Sequence, residues 1–188
     1  LVLTYTVTAT DDDSTPLSDS ETVTITITGT NDTPVITNGA DAASLTETDT
    51  TLATNGSFDV NDADTKDLVS ATVSSVALSG SFTTSGSTLP SALSDNSYGA
   101  LIEMLDLTIA SGSTGTDSAT DQTIESLDAN TATSGSTVDW AFTSGSSGDS
   151  SFDFLQEGET LTLTYTLTLQ DDSGVSSSDS ETATVAIT

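Results

Sequence analysis

LTYTVTATDDDSTPLSDSETVTITIT, residues 3–28, and LTYTLTLQDDSGVSSSDSETATVAIT, residues 163–188, align without a gap at an offset of 160, with 15 of 26 positions identical. In the first copy Leu3, Tyr5, Val7 and Ala9 alternate with Thr4, Thr6, Thr8 and Thr10, the period of a strand with one apolar face. After an acidic loop, Val23, Ile25 and Ile27 alternate with threonines in the same way. Two such runs predict a long β-hairpin over residues 1–28, and the second copy predicts another at the end of the chain. Self-similarity at one long offset marks whole domains in tandem, not a solenoid of small units. The expected organisation is the C-terminal hairpin of a preceding repeat over 1–28, a linker over 29–34, and one complete β-sandwich repeat over 35–188. Leu1 stands inside the alternating pattern with no basic segment before it, so the chain is expected to be part of a longer one.

Composition agrees with an all-β chain. Thr and Ser account for 39 and 31 of the 188 residues, and the branched Thr side chain suits a pleated surface. The hydrophobic share of 34% falls in alternation, which separates this acidic chain from a disordered tail. Strands are expected near 44–48, 56–60, 68–78, 100–109, 137–143, 152–155, 160–169 and 181–188. LIEMLDL (101–107) offers at most one helical turn, and the Ser- and Gly-rich stretches 111–123 and 144–151 are read as loops. The expected core is Phe58, Val69, Val73, Leu78, Leu101, Leu105, Leu107, Ile109, Trp140, Phe142, Phe152, Phe154, Leu155, Leu161, Leu163, Tyr165, Leu167, Val185 and Ile187.

Charge narrows the function classes. There are 29 Asp and Glu against one basic residue, Lys66, giving a formal net charge of −28. Such a field repels phosphate backbones and anionic lipid, so neither nucleic-acid binding nor a membrane-surface role is expected. No apolar run approaches the 18 or so residues that span a bilayer, and membrane insertion is not expected. Without His and Cys, the Ser-His-Asp and Cys-His constellations, imidazole metal sites, thiolate zinc and disulfides are all excluded. A glycosidase needs only two carboxylates, but among 29 acids a pair carries no information, and one Trp offers little sugar platform. No catalytic residue is assigned.

The acids crowd where strands are expected to end. Asp11, Asp12 and Asp13 close one strand, Asp19 and Glu21 open the next, Asn31 and Asp32 lie in GTNDTPVI (29–36), and Asp59, Asp62, Asp64 and Asp67 fill DVNDADTKD (59–67). Like charges so placed repel unless a cation sits among them, and Lys66 alone cannot balance them. A hard ion taking six to eight oxygens, Ca²⁺, is the natural counter-charge. No EF-hand is present, because counting from Asp62 the sixth and twelfth residues are Asp67 and Val73 in place of Gly and Glu. Any site must be assembled from separate segments. For a single carboxylate in a Ser-rich loop such as DSATD (117–121), a solvated surface is the simpler reading. The sequons at Asn31 and Asn55 are weak in a Thr- and Ser-rich chain.

FDFLQEGETLTLTYTLTLQDDSG (152–174), with SDSET after it and ITGTNDTPVI in the upstream copy, resembles the VCBS repeat family; YGAL (98–101) and VDWAF (138–142) follow that family's order. The resemblance implies an antiparallel Ig-like or cadherin-like β-sandwich in tandem, an extender in secreted surface adhesins or filaments, stiffened by Ca²⁺ at its junctions. It implies that Asp11, Asp12, Asn31, Asp32, Glu47, Asp62 and Asp64 share ions at one junction, and that Asp171, Asp172, Asp179 and Glu181 do so at the next. The expected partners are neighbouring repeats of the same chain, with lateral or end-to-end self-association as a further expectation, in an extracellular setting. The alternative is a glycan- or protein-binding module built on the divergent segment 79–135.

Overall fold

The computed structural model describes residues 1–38, 41–83, 101–117, 122–129, 135–145, 152–173 and 178–188. It divides into two compact units, Leu1–Asn31 and Asp32–Thr188. The first is a hairpin of β1 (Val2–Thr10) and β2 (Ser18–Thr26), paired antiparallel from Val2↔Thr26 to Thr10↔Ser18. Its apolar side chains are not covered: Tyr5 is 53% exposed and Ile25 45%.

The second unit is all-β and mixed in strand direction. Its smaller sheet has the order β3 (Val35–Ile36), β5 (Ala53–Asn61), β10 (Ser136–Thr143), β7 (Leu105–Ile109). Its larger sheet has the order β4 (Asp41–Leu45), β12 (Ser178–Ile187), β11 (Thr160–Asp171), β6 (Val69–Ser81), β9 (Thr123–Leu127), β8 (Gly115–Asp117). Among the described strands, all pairings are antiparallel except β4 with β12. Alternation sorts the side chains. On β11, Leu161, Leu163, Tyr165, Leu167 and Leu169 are buried, and the threonines between them face outward. They share one core with Ala183, Val185 and Ile187 of β12 and with Phe58, Val60, Leu105, Leu107, Val138, Trp140 and Phe142 of the smaller sheet.

Two local features hold this core in register. On β6 the buried residues run Val69, Ala71, Val73 and then Val76, a slip of one residue that matches the bulge where Val73 faces Leu167 and Ser75 faces Thr166. The Ser74 hydroxyl, at the slip, donates to the Thr166 carbonyl at 3.1 Å. On β5, Gly56 lies opposite Trp140, whose indole N–H donates to Asp41 Oδ2 at 3.1 Å. A Cβ at Gly56 would stand 1.9 Å from that oxygen and 2.6 Å from the indole, so only glycine fits.

Several sequence expectations shift. The strand expected at 44–48 is β4, Asp41–Leu45, displaced because it pairs with β12 through Ala183↔Asp41 to Ile187↔Leu45. The strand expected to start at 100 begins at Leu105; residues 101–104 form a helical turn in which the Met104 N–H donates to the Leu101 carbonyl at 3.2 Å. Residues 152–155 are a turn, closed by the Leu155 N–H on the Phe152 carbonyl at 3.0 Å, although Phe152 is buried as expected. The short strands β3, β8 and β9 were not anticipated. Within 79–135, residues 84–100, 118–121 and 130–134 lie outside the described residues, as do 98–100 of YGAL and 146–151 of the expected loop.

Candidate functional site

Antiparallel pairing of β11 with β6 sets Asp171 opposite Val69 and so brings the end of β11 to the loop between β5 and β6. That loop carries Asp62, Asp64, Lys66 and Asp67. The backbone is held by its own acids. The Asp64 N–H donates to Asp62 Oδ1 at 2.8 Å, the Leu68 N–H to Asp172 Oδ1 at 3.0 Å, and the Ser173 N–H to Asp171 Oδ1 at 2.6 Å. Two further bonds tie the leading segment of this unit to the same end: the Asp32 N–H donates to Asp64 Oδ2 at 2.7 Å, and the Ile36 N–H to Asp179 Oδ2 at 2.9 Å.

Asp62 is the unusual member. The residue is 1% exposed, and its Oδ2 is buried with no hydrogen-bond partner. Leaving a buried acceptor unpaired costs about 1–3 kcal/mol, more when it is charged. Burial raises its pKa above the ordinary carboxylate value, and the charges of Asp171, Asp64 and Asp32 raise it further, against the lowering effect of the Asp64 N–H. Asp67 is raised too, by desolvation and then by Asp171, Asp64, Asp172 and Asp62. Carboxylate oxygens of Asp67, Asp171 and Asp172 lie within 4.8 Å of one another, close enough to share a metal ion.

A second group of that kind, Glu47, Asp49 and Asp153, occupies the opposite end of the unit. The Glu47 N–H donates to the Thr188 carbonyl at 2.8 Å, next to the Ile187↔Leu161 pair, and Leu161 is about 33 Å along β11 from Asp171. Glu47 borders an open cleft with Leu155, Gln156 and Gly158. Desolvation, then the charges of Asp153 and Asp49, raises its pKa. All three side chains of this group reach solvent.

The structure thus groups the expected ligands differently from the sequence reading. It brings Asp32, Asp62 and Asp64 together with Asp171 and Asp172, which had been assigned to another junction, and it separates Glu47 from all of them. Asp179 spends its oxygens on the N–H groups of Ile36 and Ser180, and Glu181 accepts from the Thr182 N–H at 2.8 Å. Within Leu1–Asn31, Asp11 and Asp12 sit at the hairpin turn, where the Asp11 N–H donates to the Leu17 carbonyl. Asn31 follows the other end, where Leu1 and Ile27 exchange backbone bonds; β2 spans about 30 Å and residues 28–31 reach back at most about 14 Å, so Asp11 and Asn31 do not meet. Asp67, Asp49 and Asp153 were absent from the expected ligand set. Asp67 alone had a signal, its place in the crowded DVNDADTKD loop.

No family model matches the chain, and no curated protein matches it. Among solved structures, the chain is similar to the CooA pilin subunit from enterotoxigenic Escherichia coli at 9% identity and a TM-score of 0.40, over 84% of this chain and 98% of that one. The expected VCBS membership is corrected by the family comparison, which finds no match. The physical reason is that Thr-aliphatic alternation suits half-buried strands of many folds, so the quoted motifs carry less family information than their length suggests. The 188 residues contain no His and no Cys, so neither a Ser-His-Asp nor a Cys-His constellation can form within them. No helix among the described residues is long and apolar enough to cross a membrane.

Proposed function

We propose that the protein is a structural extender: a β-sandwich unit of Ig-like or cadherin-like kind, preceded by the terminal hairpin of an equivalent unit, in a secreted or cell-surface fibrous protein. The observation that carries this reading is the register of the two hairpins. Leu3↔Ile25 and Tyr5↔Val23 of β1–β2 correspond, at an offset of 160, to Leu163↔Val185 and Tyr165↔Ala183 of β11–β12. Equivalent positions in the same register are buried in β11–β12 and exposed or half-exposed in β1–β2. The hairpin β1–β2 is the wall of a unit whose other strands precede it. Its partners are neighbouring units of the same chain, and the acid-rich strand ends take up extracellular Ca²⁺, which removes their repulsion and stiffens the array. Affinities of about 10⁻⁴ to 10⁻³ M suffice for that role.

The test is a graft. A second copy of residues 35–160 placed before Leu1 supplies the missing strands, because Leu161 and Leu1 occupy equivalent positions. Amide hydrogen exchange in β1–β2 should then slow to the level of β11–β12. Unchanged fast exchange, with the grafted strands unfolded, would refute the tandem reading.

A further inference from the structure

We infer that the outward face of β6, β11 and β12 is a self-association surface, on which the same face of a second copy of this chain docks, sheet against sheet. The inference goes beyond the proposed extender role by giving the array a lateral partner. It stands on the unit Asp32–Thr188 alone and involves none of the acid groups.

The face is uncharged in a chain of formal charge −28. Its rows set Thr166 between Ser75 and Thr182, and Thr168 between Thr72 and Ser180. Every outward position of these three strands is Ser, Thr, Ala or Gln, while Asp171, Asp179 and Glu181 fall on the parity of the buried residues. Glu125 on the adjacent β9 marks the border. Strand propensity does not demand such a face. On the smaller sheet, Asp139 of the central β10, Asp59 of β5 and Asp106 of β7 stand at outward positions.

Charge selects the occupant. Two copies meeting through the smaller sheet or through the strand ends bring carboxylates together; meeting through β6, β11 and β12 they do not. Packed sheets lie about 10 Å apart, so the acids of each smaller sheet stand a further layer behind, beyond the screening length of about 8 Å at physiological salt. Hydroxyl groups both donate and accept, so an identical surface related by a two-fold axis can satisfy them. No aromatic residue stands at these outward positions for a sugar ring to stack on.

Size sets the strength. Three strands about 4.8 Å apart and about 30 Å long present about 400 Å² of face, half of the roughly 800 Å² per partner that a stable complex buries. One unit therefore associates weakly, and strength accumulates over successive units of an array. The hairpin β1–β2 carries the same hydroxyl pattern opposite its apolar residues, with Thr4 paired to Thr24 and Thr6 to Thr22.

Diffusion and Thr-methyl NMR of the 188-residue chain at up to millimolar concentration, in chelator and over a series of NaCl concentrations, tests the surface. The chain should self-associate weakly, and more strongly as NaCl screens the like charges, with concentration-dependent shifts at Thr164, Thr166 and Thr184. Thr164→Glu should weaken association about tenfold or more, because it sets two carboxylates in one desolvated contact. Asn55→Asp adds the same charge on the smaller sheet and should leave association unchanged. Ile25→Ser, on the exposed apolar face of β1–β2, should associate as the wild type does. Ser79→Glu, exposed on β6, serves as the second variant if Thr164→Glu does not fold, and should also weaken association. The inference is overturned if the wild-type chain stays monomeric at high salt, if the Glu variants associate as the wild type does, or if Ile25→Ser or Asn55→Asp abolishes association. It is overturned too if the Thr shifts appear only on adding dextran, which would assign the face to a neutral glycan. The graft of residues 35–160 reports hairpin protection within one chain, so the tandem reading and this surface fail separately.

Discussion

Tyr5 and Tyr165 hold the same position in the same register of two similar hairpins, yet one is half exposed and the other is completely buried. Sequence and register set the strand and the face; what lies on the face sets the energy. Tyr165 packs against Phe142 at a centroid distance of 6.3 Å, and its hydroxyl donates to the Leu101 carbonyl at 2.9 Å. Desolvation pushes its pKa far above the ordinary tyrosine value. Tyr5 has an identical flank, LTYT, and no core beneath it.

Breaking the comparison at this residue gives the largest effect. Tyr165→Ala should destabilise the Asp32–Thr188 unit by about 3–5 kcal/mol, and Tyr5→Ala should leave that unit's unfolding within about 0.5 kcal/mol, both read by urea denaturation followed through the buried Trp140. Equal losses would mean that the hairpin β1–β2 contributes to the larger core. Next in size is the acid pair Asp11 and Asp171. In millimolar calcium, Asp171→Asn should remove most of the calcium-dependent rise in melting temperature, and Asp11→Asn should keep it. Retention in both variants would detach calcium from the end of β11. Removing only the hydroxyl sharpens the contrast: Tyr165→Phe should cost about 0.5–1.5 kcal/mol for the bond to Leu101, and Tyr5→Phe nothing measurable.

The smallest effect lies just outside the repeated stretch. Glu159 accepts from the Thr83 N–H and hydroxyl and from the Gln156 N–H, which hold its pKa below the usual Glu value, the Thr83 hydroxyl most strongly. A lowered folded-state pKa adds stability that is present above the unfolded value near 4.5 and is lost as pH falls through the lowered one. Glu159→Gln should therefore lower the urea midpoint slightly at pH 7 and flatten its decline between about pH 5 and pH 3. An unaltered decline would assign the acid sensitivity to other carboxylates.

The strands of the two hairpins were legible because Thr-aliphatic alternation is a local signal and their pairing joins neighbours in the chain. The bulge on β6 was equally visible in principle, since VSATVSSVAL breaks its own alternation at Ser74 and Ser75. Strands β8 and β9 were not legible. Gly115–Asp117 has no apolar residue, and Thr123–Leu127 has only Ile124 and Leu127, spaced off the strand period around a register shift at Ile124. FDFL (152–155) shows the opposite failure, an alternating stretch bent into a turn, with a second turn following at 156–159. At the site, each acid was visible but the grouping was not. Asp171 reaches the loop that carries Asp62 because an antiparallel neighbour carries the end of one strand to the start of another more than a hundred residues away, and no spacing in the sequence records that.

The parallel pairing of β4 with β12 has a mechanical meaning. β4 stands near the start of the unit and β12 at its end, and both run the same way. Tension applied to the two ends of the unit therefore drags these strands past each other along their length. Five residue pairs, from Ala183↔Asp41 to Ile187↔Leu45, carry the load together in shear, whereas an antiparallel terminal pair would peel open one bond at a time. If units follow one another as proposed above, pulling should open them one at a time, each step resisted by this sheared pair.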